Sequence, residues 1–247
     1  KKGTLKYFVI DEAHIISAWG DGFRPDFQLL AGFRNGLLRQ CGENTFETLL
    51  LSATLSKNCI AELRDLFGNP GPFQVSSAVH LRPEPRYLSF KASSIEEKNE
   101  KIEELLKFAP RPLIFYLNSP REVEEWKQKL ISYGSKRFAC FHGKTPNNVR
   151  SKIIDDWDND KYDIIIATSA FGVGMDKRNI KTIIHGMVSD SLDQFYQEVG
   201  RSGRDGTTCA SICIFNDEDV QTGRRKATPQ TIGFVRAYER WSAMLNS

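Results

Sequence analysis

The stretch from Tyr7 to Phe27 reads YFVIDEAHIISAWGDGFRPDF. Four apolar residues, Tyr7 to Ile10, run without alternation and stop at Asp11 and Glu12. Such a run predicts a parallel strand buried on both faces, with two acids at its carboxyl end. In open α/β sheets, ligands bind outside that end. An acid pair placed there suits a nucleotide-bound Mg²⁺. Asp11 would hold the hydrated cation through its waters, and Glu12 would orient and deprotonate the water that attacks a γ-phosphate. A solvated loop after a strand is the plainer alternative for Asp11-Glu12-Ala13-His14.

The rest of the stretch is aromatic and rich in glycine. Trp19, Phe23 and Phe27 fall at i, i+4 and i+8, the spacing of a helical core stripe. Gly20, Gly22 and Pro25 interrupt that helix, so with Arg24 these rings fit a stacking platform for single-stranded bases. Each base contact on such a platform contributes about 1–3 kcal/mol.

Around this stretch lie 247 residues, 40% hydrophobic and 26% charged, a globular composition for one large or two small domains. Lys and Arg number 34 against 31 Asp and Glu, so the net charge of +3 does not by itself argue for nucleic acid. Any basic surface must be local. The five cysteines, Cys41, Cys59, Cys140, Cys209 and Cys213, form no C-x-x-C pair, which argues against a zinc site or disulfide framework and for a reducing compartment, cytoplasm or nucleus. No apolar run approaches the roughly 18 residues of a membrane span, and no signal peptide is expected from the residues that open the sequence. The missing initiator Met, and a start one strand before the first motif, predict a piece of a longer protein.

Along the chain, a helix is expected over Gln28 to Gln40. An apolar run at Leu49-Leu50-Leu51 ends in Ser52-Ala53-Thr54, and a helix over Asn58 to Phe67 is stopped by Gly68, Asn69, Pro70 and Gly71. Leu81 to Arg86, with two prolines, is the best linker candidate. Ser94 to Phe108 reads as a helix whose Glu97–Lys101 and Glu103–Lys107 pairs mark a solvated face. Apolar runs at Leu113 to Tyr116, Phe138 to Phe141, Ile164 to Ala167, Thr182 to Ile184 and Ala210 to Phe215 alternate with helical stretches, the pattern of a parallel α/β sheet. Polar residues follow these runs: Asn118-Ser119, His142-Gly143, Thr168-Ser169 and His185.

Two further segments carry chemistry. Thr168 to Asp176, TSAFGVGMD, is a strand end followed by a turn in which Gly172 and Gly174 let backbone approach a ligand closely; a plain turn with Asp176 in a local cap is the alternative. Gln197 to Gly206, QEVGRSGRDG, sets Arg201 and Arg204 three apart, so both guanidiniums can reach one anion and stabilise charge on a transferring phosphoryl group. His14 has no second His at metal-ligand spacing, so coupling between motifs suits it better than metal binding. Gly143-Lys144-Thr145 looks like the end of a P-loop, but Phe138 stands where the first glycine must be.

The chain resembles superfamily-two helicases, and D-E-A-H running into W-G-x-x-F-R-P resembles the RecQ-type DNA helicases in particular. TSAFGVGMD resembles their motif five, QEVGRSGRDG their motif six, LIFYLNSP (Leu113 to Pro120) motif four, and Ser52 with Thr54 motif three. Asp21-Gly22 departs from the His-Asp pair common in the aromatic loop of this family. The resemblance implies tandem RecA-like parallel sheets: residues 1–80 from the first domain, which is only partly present, 83–220 from the second, and a helical tail over 221–247. It implies ATP between the domains, contacted by Asp11, Glu12, His14, Gly174, Asp176, Gln197, Arg201 and Arg204. Single-stranded DNA would lie against Trp19, Phe23, Arg24, Phe27, Asn118, Ser119 and Thr168, with 3′-to-5′ translocation and unwinding of duplex DNA. The P-loop half of the ATP site would lie upstream in the parent chain. An RNA remodeller of the same superfamily and a non-catalytic nucleic-acid-binding domain are the alternatives.

Overall fold

The computed structural model describes residues 5–14, 25–41, 45–53, 55–78, 82–172 and 176–227. These fall into two units whose boundary lies between Val79 and His80. Both are parallel α/β structures.

In the first unit, β1 (Tyr7–Ile10) pairs in parallel with β2 (Glu47–Leu50), Ile10 opposite Leu50. Helices α1 (Pro25–Cys41) and α2 (Lys57–Phe67) supply Ala31, Cys59, Leu63 and Phe67 to a core shared with Ile10 and Ala13. Ser56 starts α2 by accepting a hydrogen bond from Cys59 N at 3.2 Å, and Gly68 ends it. Buried Arg34 ties α1 to β2 through Thr48 Oγ1 at 2.7 Å and to the turn after α2 through Asn69 O at 2.6 Å. The expectation that β1 is buried on both faces is not met: Tyr7 is 54% and Val9 52% exposed. The described helices cover one face of the pair, so alternate residues point inward to Phe8 and Ile10 or outward to Tyr7, Val9, Leu49 and Leu51.

In the second unit, β3 (Pro85–Lys91), β4 (Leu113–Tyr116), β5 (Phe138–Phe141), β6 (Ile164–Ala167), β7 (Thr182–His185) and β8 (Cys209–Phe215) form a parallel sheet of order β3-β8-β7-β4-β6-β5. The linker candidate needs correction, because Pro85 and Arg86 open edge strand β3, paired with Cys209 and Ala210. A proline is tolerated at the first residue of an edge strand, so Pro85 did not mean a loop, whereas Pro83 stays in a bend before the strand. Central strands β4, β6 and β7 are buried at every position. On one face Ile114, Tyr116, Ile165 and Ile183 pack with Ile153 and Trp157 of α5 (Asn147–Asp158). On the other, Leu113, Phe115, Ile166 and Ile184 pack with Ile102 and Leu106 of α3 (Ile95–Phe108) and Val123, Trp126 and Leu130 of α4 (Pro120–Ser132). Each such side chain contributes about 1.5–3 kcal/mol on burial, so strands apolar throughout belong between two helical layers. Helices α6 (Leu192–Val199) and α7 (Asp217–Ala227) complete the unit.

The charged face of α3 is less uniform than its sequence implies. Lys98 is buried against Asp219 of α7 at 2.7 Å, and Lys101 pairs with Glu104 because Glu97 turns back to accept from Ser93 N. Among the described residues, no helix is long and apolar enough to cross a membrane.

Candidate functional site

The acid pair stands on the turn leaving β1. Leu51 N donates to Ile10 O at 2.8 Å and Ala13 N to Leu51 O at 2.9 Å, which pins this turn to the end of β2. Between those bonds Glu12 adopts a left-handed φ of 53°, a conformation costing about 1–2 kcal/mol for a residue with a Cβ. Its amide donates to Asp11 Oδ1 at 2.8 Å, and both carboxylates are exposed. His14 Nδ1 lies 3.0 Å from Ser52 Oγ and 3.3 Å from Glu12 Oε2, so one ring touches both the acid pair and the serine after β2. Thr54 lies outside the described residues. No group of three or more potential metal ligands occurs among the described residues. An exposed carboxylate at a strand end still fits Mg²⁺, which keeps several waters and takes one or two protein carboxylates.

Arg201 and Arg204 lie on the turn between α6 and β8. Ser191 caps α6 by accepting from Gln194 N at 3.1 Å, and the helix ends at Gly200. Gly203, at φ 61°, makes the bend, where a Cβ would sit 2.9 Å from both Cys209 Sγ and Thr207 O. Gly203 N donates to Ile180 O at 3.0 Å and Asp205 N to Arg178 O at 3.2 Å, fastening the turn to the segment that follows Asp176. Arg204 Nη1 donates to Asp176 Oδ1 at 3.2 Å and Arg204 Nε to Gly200 O at 3.1 Å. Arg201 points the other way, and its Nη1 donates to Gly172 O. Gly172, at φ 138°, has no room for a Cβ because the Arg201 guanidinium occupies that space. Gly174 lies outside the described residues, and Gln197 is half-buried on α6.

Beneath this turn is a buried polar cluster that motif reading missed. His185 and Glu198 are 0% and 4% exposed at their side chains and pair at 2.9 Å. Gln194 Nε2 donates to the second Glu198 oxygen at 3.0 Å. The His185 ring stacks on Tyr116 at 5.4 Å and touches Phe195 at 4.9 Å. The Tyr116 hydroxyl donates to Phe171 O at 3.3 Å, and burial pushes its pKa above the usual phenol range despite nearby Arg201. His185 was visible as a polar strand end. Glu198 was hidden because an acid within QEVGRSGRDG reads as surface charge.

Of the residues assigned to nucleic acid, Asn118, Ser119 and Thr168 lie just past the carboxyl ends of β4 and β6 in the second unit. Asn118 and Ser119 follow β4, where the Ser119 hydroxyl accepts from Glu122 N at 3.3 Å and Glu122 Oε2 accepts from Asn118 N at 2.8 Å and Ser119 N at 3.1 Å. This capping box fixes the start of α4. Thr168 is buried after β6, and the exposed hydroxyl there is that of Ser169. Lys144 and Thr145 sit in a turn closed on His142, with Thr145 Oγ1 accepting from His142 N at 3.0 Å. Trp19, Phe23 and Arg24 lie outside the described residues. Pro25 opens α1, so the backbone of Phe27 is helical rather than part of a loop, as a proline in the first turn favours.

The family model described as helicase conserved C-terminal domain matches residues 97–206. The chain is 30% identical over 226 residues to the RecQ-like DNA helicase blm-1 of Caenorhabditis elegans, covering 91% of this chain and 22% of that protein. It is 31% identical over 214 residues to the probable ATP-dependent DNA helicase RecS of Bacillus subtilis, covering 87% of this chain and 42% of that protein. Over about nine-tenths of its length the chain is similar to RecQ-like helicases of superfamily two. This RecQ-like chain therefore spans less than half the length of these relatives. Among solved structures, S. cerevisiae Dbp5 bound to RNA and ADP BeF3 has a TM-score of 0.70 at 16% identity, covering 92% of this chain and 59% of that one. A DEAD box protein from Methanococcus jannaschii has a TM-score of 0.52 at 21% identity, covering 93% and 60%. These two likenesses share the RecA-like fold.

Proposed function

We propose that the parent protein of this RecQ-like chain is an ATP-dependent DNA helicase that translocates 3′ to 5′ on single-stranded DNA and unwinds duplex. The observation carrying this reading is the turn after α6, where Gly200 O and Asp176 hold Arg204 while Arg201 lies against Gly172. Glycines let two guanidiniums stand close to backbone on a turn tied to a neighbouring motif, an arrangement suited to charge developing on a phosphoryl group. Asp11 would hold Mg²⁺ through its waters, and Glu12 would take the proton of the attacking water. When bound, the cation would supply neutralisation of the phosphate oxygens. Asn118, Ser119 and the aromatic stretch Trp19 to Phe27 serve the DNA strand.

No G-x-x-x-x-G-K-[ST] occurs in the sequence, so the lysine and backbone cradle for the phosphates come from an upstream segment of about 150 residues, enough to complete a RecA-like domain. The exposed apolar face of Tyr7, Val9, Leu49 and Leu51 supports this, since a parallel sheet needs cover on both sides. The 247 residues alone are expected to show no DNA-dependent ATP hydrolysis.

The test uses the parent protein and compares ATPase stimulation by single-stranded DNA and by RNA of equal length. Preferential stimulation by DNA, with loss of at least about 10³ in kcat for Arg201→Ala or Arg204→Ala and a smaller change in nucleotide affinity, is the expected result. Preferential stimulation by RNA would favour the second reading, an RNA remodeller, to which the likeness with RNA-bound Dbp5 lends weight. Loss of DNA affinity alone in both variants would make the arginines phosphate clamps.

A further inference from the structure

We propose that Arg82 is a positioning residue for the arginine turn, an inference that rests on the role given above to Arg201 and Arg204. The Arg82 guanidinium donates through Nη1 to Gly200 O at 3.1 Å and Ser202 O at 3.0 Å, and through Nη2 to Gly203 O at 2.7 Å. Its Nε lies 3.2 Å from Glu84 Oε2. Three carbonyls on both sides of Arg201 thus converge on one planar fork, a geometry a lysine ammonium cannot reproduce. Gly200 O is shared, because Arg204 Nε also donates to it at 3.1 Å.

The strap is itself anchored. Cys209 N donates to Glu84 O at 3.0 Å, which locks the Arg82 segment to the start of β8. On the opposite side, the turn hangs from Ile180 O and Arg178 O. Between these two supports the backbone from Gly200 to Asp205 is fixed, and with it the directions of both arginine side chains. Removing Arg82 leaves the carbonyls to solvent and gives Arg204 a looser anchor, while the strands below remain packed. The consequence falls on the transition state, where misplacement by an ångström costs on the order of a hundredfold in rate.

The test pairs two measurements on Arg82→Ala and Arg82→Lys in the parent protein. Steady-state ATPase with saturating single-stranded DNA is expected to show kcat reduced about 10- to 100-fold with KM for ATP within about threefold. Amide hydrogen exchange is expected to accelerate by about tenfold or more over Gly203 to Thr207, with β4, β6 and β7 unchanged. Arg82→Lys keeps the charge opposite Glu84, so it should retain the wild-type melting temperature and still lose kcat; it decides the matter if the alanine variant does not fold. Wild-type kcat with wild-type exchange in Arg82→Lys overturns the proposal, as does a change in KM or melting temperature alone. Should the wild-type parent hydrolyse no ATP, the functional reading fails by itself. Exchange over the turn then decides whether the strap holds it, and unchanged exchange overturns the strap.

Discussion

Arg204 and Asp176, 28 positions apart, meet at 3.2 Å across two turns that lead into neighbouring strands. The Asp176 side chain is 73% exposed, so the pair is worth no more than about 1 kcal/mol in stability. Its significance is directional: it aims one of the two arginines of the turn. Asp176→Asn in the parent protein should leave the melting temperature within about 2 °C of wild type and lower kcat several-fold, far less than Arg204→Ala. Equal losses in the two variants would mean that Asp176 acts on the nucleotide directly.

Glu12→Gln separates nucleotide binding from hydrolysis. The side chain is exposed and contacts His14, so its replacement should not disturb the fold. Nucleotide affinity measured by fluorescence should remain near wild type while kcat falls by orders of magnitude. A variant with normal turnover removes Glu12 from the role of base.

Glu198 is expected to be far more important for stability than its exposed counterparts. Glu198→Ala leaves the buried His185 ring without its hydrogen-bond partner, which costs about 1–3 kcal/mol. In a unit of this size, thermal unfolding should move down by about 2–12 °C. Glu198→Gln, which retains the shape and one acceptor, should lose less. A shift under about 2 °C for the alanine variant would show that the pair contributes little.

Cys140 provides a test that needs no activity. Burial pushes its thiol up to about 12, against a partial opposing effect of Lys127, so at pH 8 it carries far less thiolate than an ordinary cysteine. Alkylation followed by mass spectrometry should run on the order of a hundredfold slower in the folded protein than in denaturant. Equal rates would place Cys140 in solvent.

The sequence by itself determined the parallel α/β class, five of the six strands of the larger sheet, and the segments that carry acids, glycines and arginines. These features are local. Runs such as Leu113 to Tyr116 and Ile164 to Ala167 are apolar at every position because helices cover both faces, and that cover imposes a pattern readable one residue at a time. Tertiary structure decided the rest. It turned Pro85 and Arg86 from a linker into an edge strand, since pairing with Cys209 and Ala210 depends on residues more than a hundred positions away. It left Tyr7 and Val9 exposed, because burial is set by what lies across the sheet and not by the strand's own letters. It also joined His185 to Glu198, Arg82 to three carbonyls of the arginine turn, and Arg204 to Asp176. A hydrogen bond needs two groups within about 3 Å, and sequence distance carries no information about that separation until the chain has folded.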